Sequence, residues 1–343
     1  MKTFLNVFDD MTSPEALFNA WRQFRCGKTK RRDVQQFGRS LERNVFRLHR
    51  ELQAKRYRHG EYDSFYVHDP KIRHIRKASV RDRLVHQAVS NVLTQIFEPR
   101  FIQHAYSSRI GKGTHRGINA LRDMTRKVSR NFTRPAWALK CDVRKFYDTV
   151  DHEILLNLLR QVVRDESALW LIEEIVKSFH VEGALGKGVP IGNLTSQIFT
   201  NVYLNELDMF VKHRLRVRFY LRYADDLAIL SHRKCELQEL LPELERFLLE
   251  NLCLALHPQK IELRPLIQGI DFLGYVTLPH HRALRTKTKR RMLRRISARH
   301  ESHSCGEISG ESLNQTFQSY LGVMSHANTY KLGQEVKNRF CWR

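Results

Sequence analysis

Between residues 15 and 55 apolar side chains recur every three or four positions, at Leu17, Ala20, Trp21 and Phe24 and again at Leu41, Val45, Leu48 and Leu52. That spacing puts them on one helical face, so the segment is predicted to be largely helical. The pattern switches over 57–77, where Tyr62, Phe65 and Val67 sit among polar and basic residues in the period of a strand. It switches back over Val80–Phe97, where Leu84, Val85, Ala88, Val92 and Ile96 predict a helix closed by Pro99. Trp137–Asp142 is an apolar run of strand length that ends on an acid, and Asp151 is placed to cap a helix over His152–Val163. Gly183, Gly186, Gly188, Pro190 and Gly192 mark a turn-rich hairpin, followed by a helix over Leu194–Leu215. Arg218–Tyr223 and Leu227–Ser231 read as paired strands joined around Ala224, Asp225 and Asp226. A helix over 236–252, one strand over Ile270–Leu278 and a helical region from Leu313 to about Val336 complete the prediction.

Charge changes this picture from a generic mixed fold to one with a polyanionic partner. The 343 residues hold 59 Lys and Arg against 36 Asp and Glu, a formal net charge of 59 − 36 = +23. The basic residues form three clusters, at 22–32, 71–83 and 282–299, separated by well-patterned apolar sequence. One cluster would suit a solvated face or a membrane-surface helix, whereas three fit several subdomains touching one nucleic acid. A 42% apolar fraction with 10% aromatics suffices for two or three packed subdomains and excludes a disordered or collagen-like chain. Six scattered cysteines form no CxxC pair, which points to reduced thiols rather than a zinc site or disulfide scaffold. No apolar run is long enough to span a membrane and the N-terminus has no signal-peptide core, so a cytoplasmic protein is expected.

The candidate chemistry lies in the acids. Asp225 and Asp226 are adjacent within an apolar hairpin, where two carboxylates repel each other and neither belongs unless a cation neutralises them. The plain alternative is an exposed acidic turn. Asp142, at the end of a separate apolar strand, supplies a third carboxylate if that strand lies beside the hairpin, and such an oxygen-rich set suits paired Mg²⁺ ions.

Tyr223-Ala224-Asp225-Asp226 resembles the YxDD box of reverse transcriptases, and the other boxes follow the family's order. Lys71–Arg83 resembles the basic fingers motif, Tyr106–Gly113 the next fingers box, and Asp142–Tyr147 the first metal-binding box. Gly188–Asp208 resembles the box lining template and nascent pair, Leu256–Lys260 the next, and Phe272–Tyr275 the primer grip, all ahead of a basic thumb. The resemblance spans most of residues 65–335. It implies an α+β right-hand polymerase, with mainly fingers over 1–135, mainly palm over 136–279 as a small antiparallel sheet backed by helices, and a short basic helical thumb over 280–343.

By the same resemblance Asp142, Asp225 and Asp226 would hold two Mg²⁺ ions, with the Val143 carbonyl as a further ligand. Lys71, Arg73, Arg109 and Lys260 match basic positions near the incoming triphosphate, although for the first three a solvated face or a backbone-phosphate contact fits as well. Tyr147 matches the aromatic that stacks under the sugar and rejects a 2′-hydroxyl. Arg285, Lys287, Lys289, Arg290 and Arg291 would contact nucleic acid from the thumb. Ile191, Gly192 and Gln197 fall in the nucleotide-binding box, which reads Ile-Gly-x-x-x-Ser-Gln where most families have Gln-Gly-x-x-x-Ser-Pro.

That variant box, with Tyr320-Leu321-Gly322-Val323 and His326–Tyr330, resembles reverse transcriptases of diversity-generating retroelements within the group II intron and retron-like bacterial superfamily. Such enzymes copy a template RNA from a DNA or RNA primer with dNTPs, err opposite adenines, and bind a small basic helical accessory protein. A retron, intron-derived or antiphage-defence enzyme is the nearest alternative, and a catalytically idle RNA-binding palm is the alternative from another class. Tyr147 disfavours an RNA-synthesising polymerase. A bacterial, archaeal or phage source is expected. No nuclease domain is expected, and His300, His303 and Cys305 read as polar surface.

Overall fold

A computed structural model describes residues 2–68 and 72–340, with side chains through residue 338. The architecture is α+β, as expected: fourteen α-helices and nine strands in three small antiparallel sheets among the described residues. Four helices open the chain, α1 (Phe8–Thr12), α2 (Pro14–Arg25), α3 (Arg32–Arg39) and α4 (Leu41–Gln53). Ser13 caps α2 through the Ala16 N–H, with Pro14 at the first helical position where no donor is lost. The strand-like segment forms the hairpin β1 (Asp63–Val67) and β2 (Arg73–Lys77), paired from Asp63↔Lys77 to Val67↔Arg73, with β1 exposed throughout. Helix α5 (Val80–Phe97) follows over its expected residues and is buried on most of its circumference, because α1, α2 and α10 pack around it.

Next come α6 (Thr114–Val128), β3 (Trp137–Asp142), α7 (Phe146–Thr149), α8 (His152–Arg160), α9 (Glu166–Lys177) and α10 (Leu194–Met209), the last prolonged by one π turn over Phe210–Arg214. Asp151 caps α8 as expected, accepting from the Glu153 and Ile154 N–H groups. Strands β4 (Phe219–Tyr223) and β5 (Asp226–Ser231), helix α11 (Lys234–Leu252) and strand β6 (Glu262–Pro265) complete the main sheet, ordered β4-β5-β3-β6. Alternate residues of its central strands enter two different cores. Leu139, Cys141, Leu227 and Ile229 join the large helical core, while Ala138, Ala228 and Leu230 join a smaller one with Leu121, Met124 and Val128 of α6. A sheet buried on both faces reads as continuous apolar runs, which is why β3 was so plain in the sequence.

Three expectations need correction. Ile270–Leu278 is a hairpin, β7 (Ile270–Phe272) and β8 (Tyr275–Thr277), turning at Leu273 and Gly274, both with positive φ. Strand β9 (Arg282–Leu284) joins it. The 183–192 segment is a set of turns tied by isolated bridges at Val181↔Ala184 and Asp151↔Lys187 rather than a hairpin. The final helical region is two helices, α13 (Gly310–Met324) and α14 (Tyr330–Phe340), and the basic stretch before them is itself α12 (Thr286–Ser304). Met292, Ile296, Phe317, Met324, Leu332 and Val336 tie these three together and onto Ile118 and Tyr275.

Candidate active site

The antiparallel register of β3 and β5 pairs Asp142 directly with Asp226. The β4–β5 hairpin closes with Tyr223 opposite Asp226, leaving Ala224 and Asp225 as a two-residue turn. One end of the sheet therefore gathers all three acids. The backbone fixes their relation: the Val143 N–H donates to the Asp225 carbonyl at 3.2 Å, and the His257 N–H donates to the Asp142 carbonyl at 2.8 Å. Asp142 is buried, whereas Asp225 and Asp226 are half-buried.

Burial pushes the Asp226 carboxyl up to about 6, with the Asp225 and Asp142 charges adding to the shift and Lys140 and Lys260 opposing it. The Lys260 ammonium stands 2.5 Å from Asp142 Oδ1 as its internal counter-ion. Among the described residues no three acidic, histidine or cysteine side chains are already drawn together as metal ligands. The excess negative charge and all-oxygen donors nonetheless fit hard divalent cations, because a charge concentration that raises a carboxyl pKa is relieved by a cation.

Tyr147 lies beside this end of the sheet on α7, with Thr200 of α10 close to its hydroxyl. Burial raises its pKa, and the Asp225 and Arg73 charges are both near enough to act on it in opposite directions. The glycine-rich turns hold it from behind, through the Val189 N–H to the Tyr147 carbonyl at 2.8 Å. The Ile191 carbonyl in turn accepts the Arg76 N–H at 3.2 Å and Asn193 Nδ2 donates to the Arg76 carbonyl at 3.1 Å, which pins the loop to β2. Gly192 has φ +110, and a Cβ there would come within 2.9 Å of Ile75 Cγ2, so a side chain fits neither the backbone nor the space.

The model of the reverse transcriptase (RNA-dependent DNA polymerase) domain matches residues 67–277, more than half of the chain. The chain belongs to the reverse transcriptase family. Among curated proteins, this reverse transcriptase is 24% identical over 263 residues to YkfC of Escherichia coli strain K12, covering 66% of this chain and 67% of that one. It is 27% identical over 153 residues to the group II intron-encoded protein LtrA of Lactococcus lactis, covering 43% and 24%. It is 34% identical over 97 residues to nuclear intron maturase 1, mitochondrial, of Arabidopsis thaliana, covering 28% and 13%. The chain thus spans about two thirds of the first relative and a quarter or less of the other two.

The fold of the reverse transcriptase brings together Asp142, Val143, Asp225, Asp226, Tyr147 and Lys260, and places Arg73 within electrostatic reach of Tyr147. Lys71 lies outside the described residues. Gln197 is exposed on the first turn of α10 and lines a pocket with Gly192, Phe65 and Ile75. Lys287, Lys289 and Arg290 are exposed on α12, Arg291 is half-buried there, and Arg285 is paired with Asp271.

Arg109 corrects the expectation. Its side chain is 5% exposed and ion-paired to Glu98 at 2.8 Å, and it donates to the Ile102 and Ala105 carbonyls at 2.6 and 2.9 Å. A guanidinium committed in this way braces the 98–106 segment, its donors turned inward rather than toward Asp142, Asp225 and Asp226. Sequence reasoning missed Arg222 and Asp208, a buried ion pair beneath the acidic turn. The signal was present as a charged residue in the otherwise apolar β4 run.

Proposed function

We propose that this reverse transcriptase adds deoxynucleotides to a primer on an RNA template, with Asp142, Asp225 and Asp226 as the carboxylates that hold paired Mg²⁺. The observation that carries this reading is the register of β3 against β5, which sets Asp142 opposite Asp226 at the mouth of a hairpin whose turn holds Asp225. In the reaction the primer 3′-oxygen bonds to the α-phosphorus of the dNTP while the bond to the pyrophosphate leaving group breaks. When bound, the ions would lower the pKa of that hydroxyl and offset charge on the leaving group. Tyr147, held between Thr200 and the glycine-rich turns, would lie against the sugar and leave no room for a 2′-hydroxyl. Arg73 and Lys260 carry the basic side of the site, Lys260 beginning as the partner of Asp142. On this reading 1–135 form mainly fingers, 136–279 palm and 280–343 thumb, with the exposed bases of α12 on the nucleic-acid backbone.

The finer reading is mutagenic synthesis in a diversity-generating retroelement, with a small basic helical accessory protein as partner. It is supported by Ile191 and Gln197, since an aliphatic Ile191 offers no side-chain hydrogen bond where a glutamine would test the incoming nucleotide. Similarity to LtrA and to an intron maturase favours a second reading, an intron-type enzyme of ordinary fidelity. Primer extension on an adenine-containing RNA template, with dNTPs or rNTPs and product sequencing, separates them. The mutagenic reading expects dNTP extension with errors concentrated opposite adenines, fewer in Ile191→Gln. Accurate cDNA supports the intron-type reading and overturns the mutagenic one, whereas equal use of rNTPs overturns the role given to Tyr147.

A further inference from the structure

Strand β4 turns one charged side chain into the core: Arg222 is 1% exposed, between Tyr220 and Leu221 on one side and Tyr223 on the other. Asp208, near the end of α10, is fully buried against it. The two meet as a fork, with Arg222 Nε donating to Oδ1 at 2.8 Å and Nη2 to Oδ2 at 2.6 Å, while the Tyr220 hydroxyl donates to the same Oδ1 at 2.6 Å. Buried ion pairs of this kind gain little over apolar packing, because desolvating both charges consumes most of their attraction. Stability is therefore a weak reason for this one.

The remaining guanidinium nitrogen points to a stronger reason. Nη1 donates to the Ala224 carbonyl at 3.1 Å and reaches Asn201 Oδ1 at 3.4 Å. Ala224 has φ +51, a left-handed conformation that costs free energy for any residue with a side chain and persists only where surrounding contacts enforce it. Its carbonyl belongs to the planar peptide that leads into Asp225, so holding that oxygen sets the plane from which Asp225 departs. The far edge of β4 is fixed too. The Arg222 N–H donates to the His104 carbonyl and the Tyr106 N–H donates to the Arg222 carbonyl, both at 2.9 Å, while Asn201 Nδ2 donates to the Ser107 carbonyl at 3.0 Å.

We propose that Arg222 and Asp208 are a buried clamp that positions the acidic turn, Arg222 holding the Ala224 carbonyl and Asp208, oriented by Tyr220, holding Arg222. They are positioning residues, one peptide removed from the carboxylates. The inference rests on the reading of Asp225 and Asp226 as metal-holding groups.

Arg222→Lys keeps the charge, but a single ammonium cannot make the fork and reach Ala224 together. Tyr220→Phe removes one donor to Asp208 and leaves the ion pair. Both are compared with the unaltered full chain for kcat, dNTP KM and nucleic-acid Kd in RNA-templated primer extension, and for Mn²⁺ half-saturation from the electron paramagnetic resonance signal of the free ion. Arg222→Lys is expected to lose about ten- to a hundredfold in kcat, as small misplacements of reacting groups do. Its KM and Kd stay within about twofold and its Mn²⁺ half-saturation rises severalfold; Tyr220→Phe moves the same two readouts a few-fold. A lower melting temperature with unchanged kcat and Mn²⁺ half-saturation would make the pair merely structural and overturn the clamp. If Arg222→Lys does not fold, the same two outcomes are read from Tyr220→Phe. Asp225→Asn, run alongside, separates the two ideas: if it keeps kcat, the reading of the turn fails and the clamp loses its purpose. If it loses kcat while Arg222→Lys keeps it, the clamp alone fails.

Discussion

At the open end of the β4-β5-β3-β6 sheet three carboxylates sit on a tight turn and its neighbouring strand, whereas along α12 the basic residues Lys287, Lys289, Arg290, Arg294 and Arg299 stand in solvent around a stripe of Met292 and Ile296. Asp142 and Asp226 face each other across paired strands, Lys260 holds Asp142, and the buried Arg222 guanidinium holds the Ala224 carbonyl of the peptide that leads into Asp225. The bases of α12 project from one regular surface and repeat the same charge. Catalytic groups need fixed geometry, while backbone-phosphate binding needs only sufficient charge.

Substitutions should separate the two regions by size of effect. The largest is expected from Asp142→Asn or Asp225→Asn, each lowering kcat of primer extension by about 10³-fold or more, since metal-held charge stabilisation is worth several kcal/mol. A third environment lies between. His86 on α5 is 1% exposed, with Nε2 3.1 Å from Nε2 of His59, and burial pulls its pKa down to about 3. The His59 and Arg83 charges act in the same direction and Asp82 opposes them. An unfolded histidine titrates near 6.5, so the unfolded chain takes up the proton first. This contribution is whole above pH 6.5 and is lost as pH falls toward 3. At pH 5 the loss is about 2 kcal/mol, and urea unfolding at pH 7 and pH 5 should show a smaller difference in His86→Gln. The smallest effect per residue is expected on α12. Lys289→Ala and Arg290→Ala should each weaken nucleic-acid binding severalfold and lower the slope of log Kd against log salt by roughly 1, measured by fluorescence anisotropy across a salt series.

Where burial dictated the pattern, the sequence could be read almost residue by residue. Strand β3 ends at Asp142 and α5 runs from Val80 to Phe97 as expected, because each is enclosed by core and its apolar run stops where the core does. Asp142, Asp225 and Asp226 stood out because acids in apolar strands demand a reason. The β7–β8 hairpin was hidden because its turn is a single Leu273-Gly274 step between two strands of only three residues each. Helices α6 and α9 were not anticipated. The true partner of Arg109 is Glu98, eleven residues earlier, and a basic residue beside a glycine-rich box gives no sign of being folded inward. The Arg222–Asp208 pair joins a strand to a helix fourteen residues away and exists only in the tertiary structure.

Single-turnover extension of a primer on an RNA template, comparing the full chain with Asp225→Asn and measuring RNA–primer affinity for both, tests the central claim most directly. The account predicts extension by the unaltered chain, loss of about 10³-fold or more in the variant, and affinities within about threefold of each other. Extension that survives in Asp225→Asn, or that disappears only together with nucleic-acid binding, would contradict it.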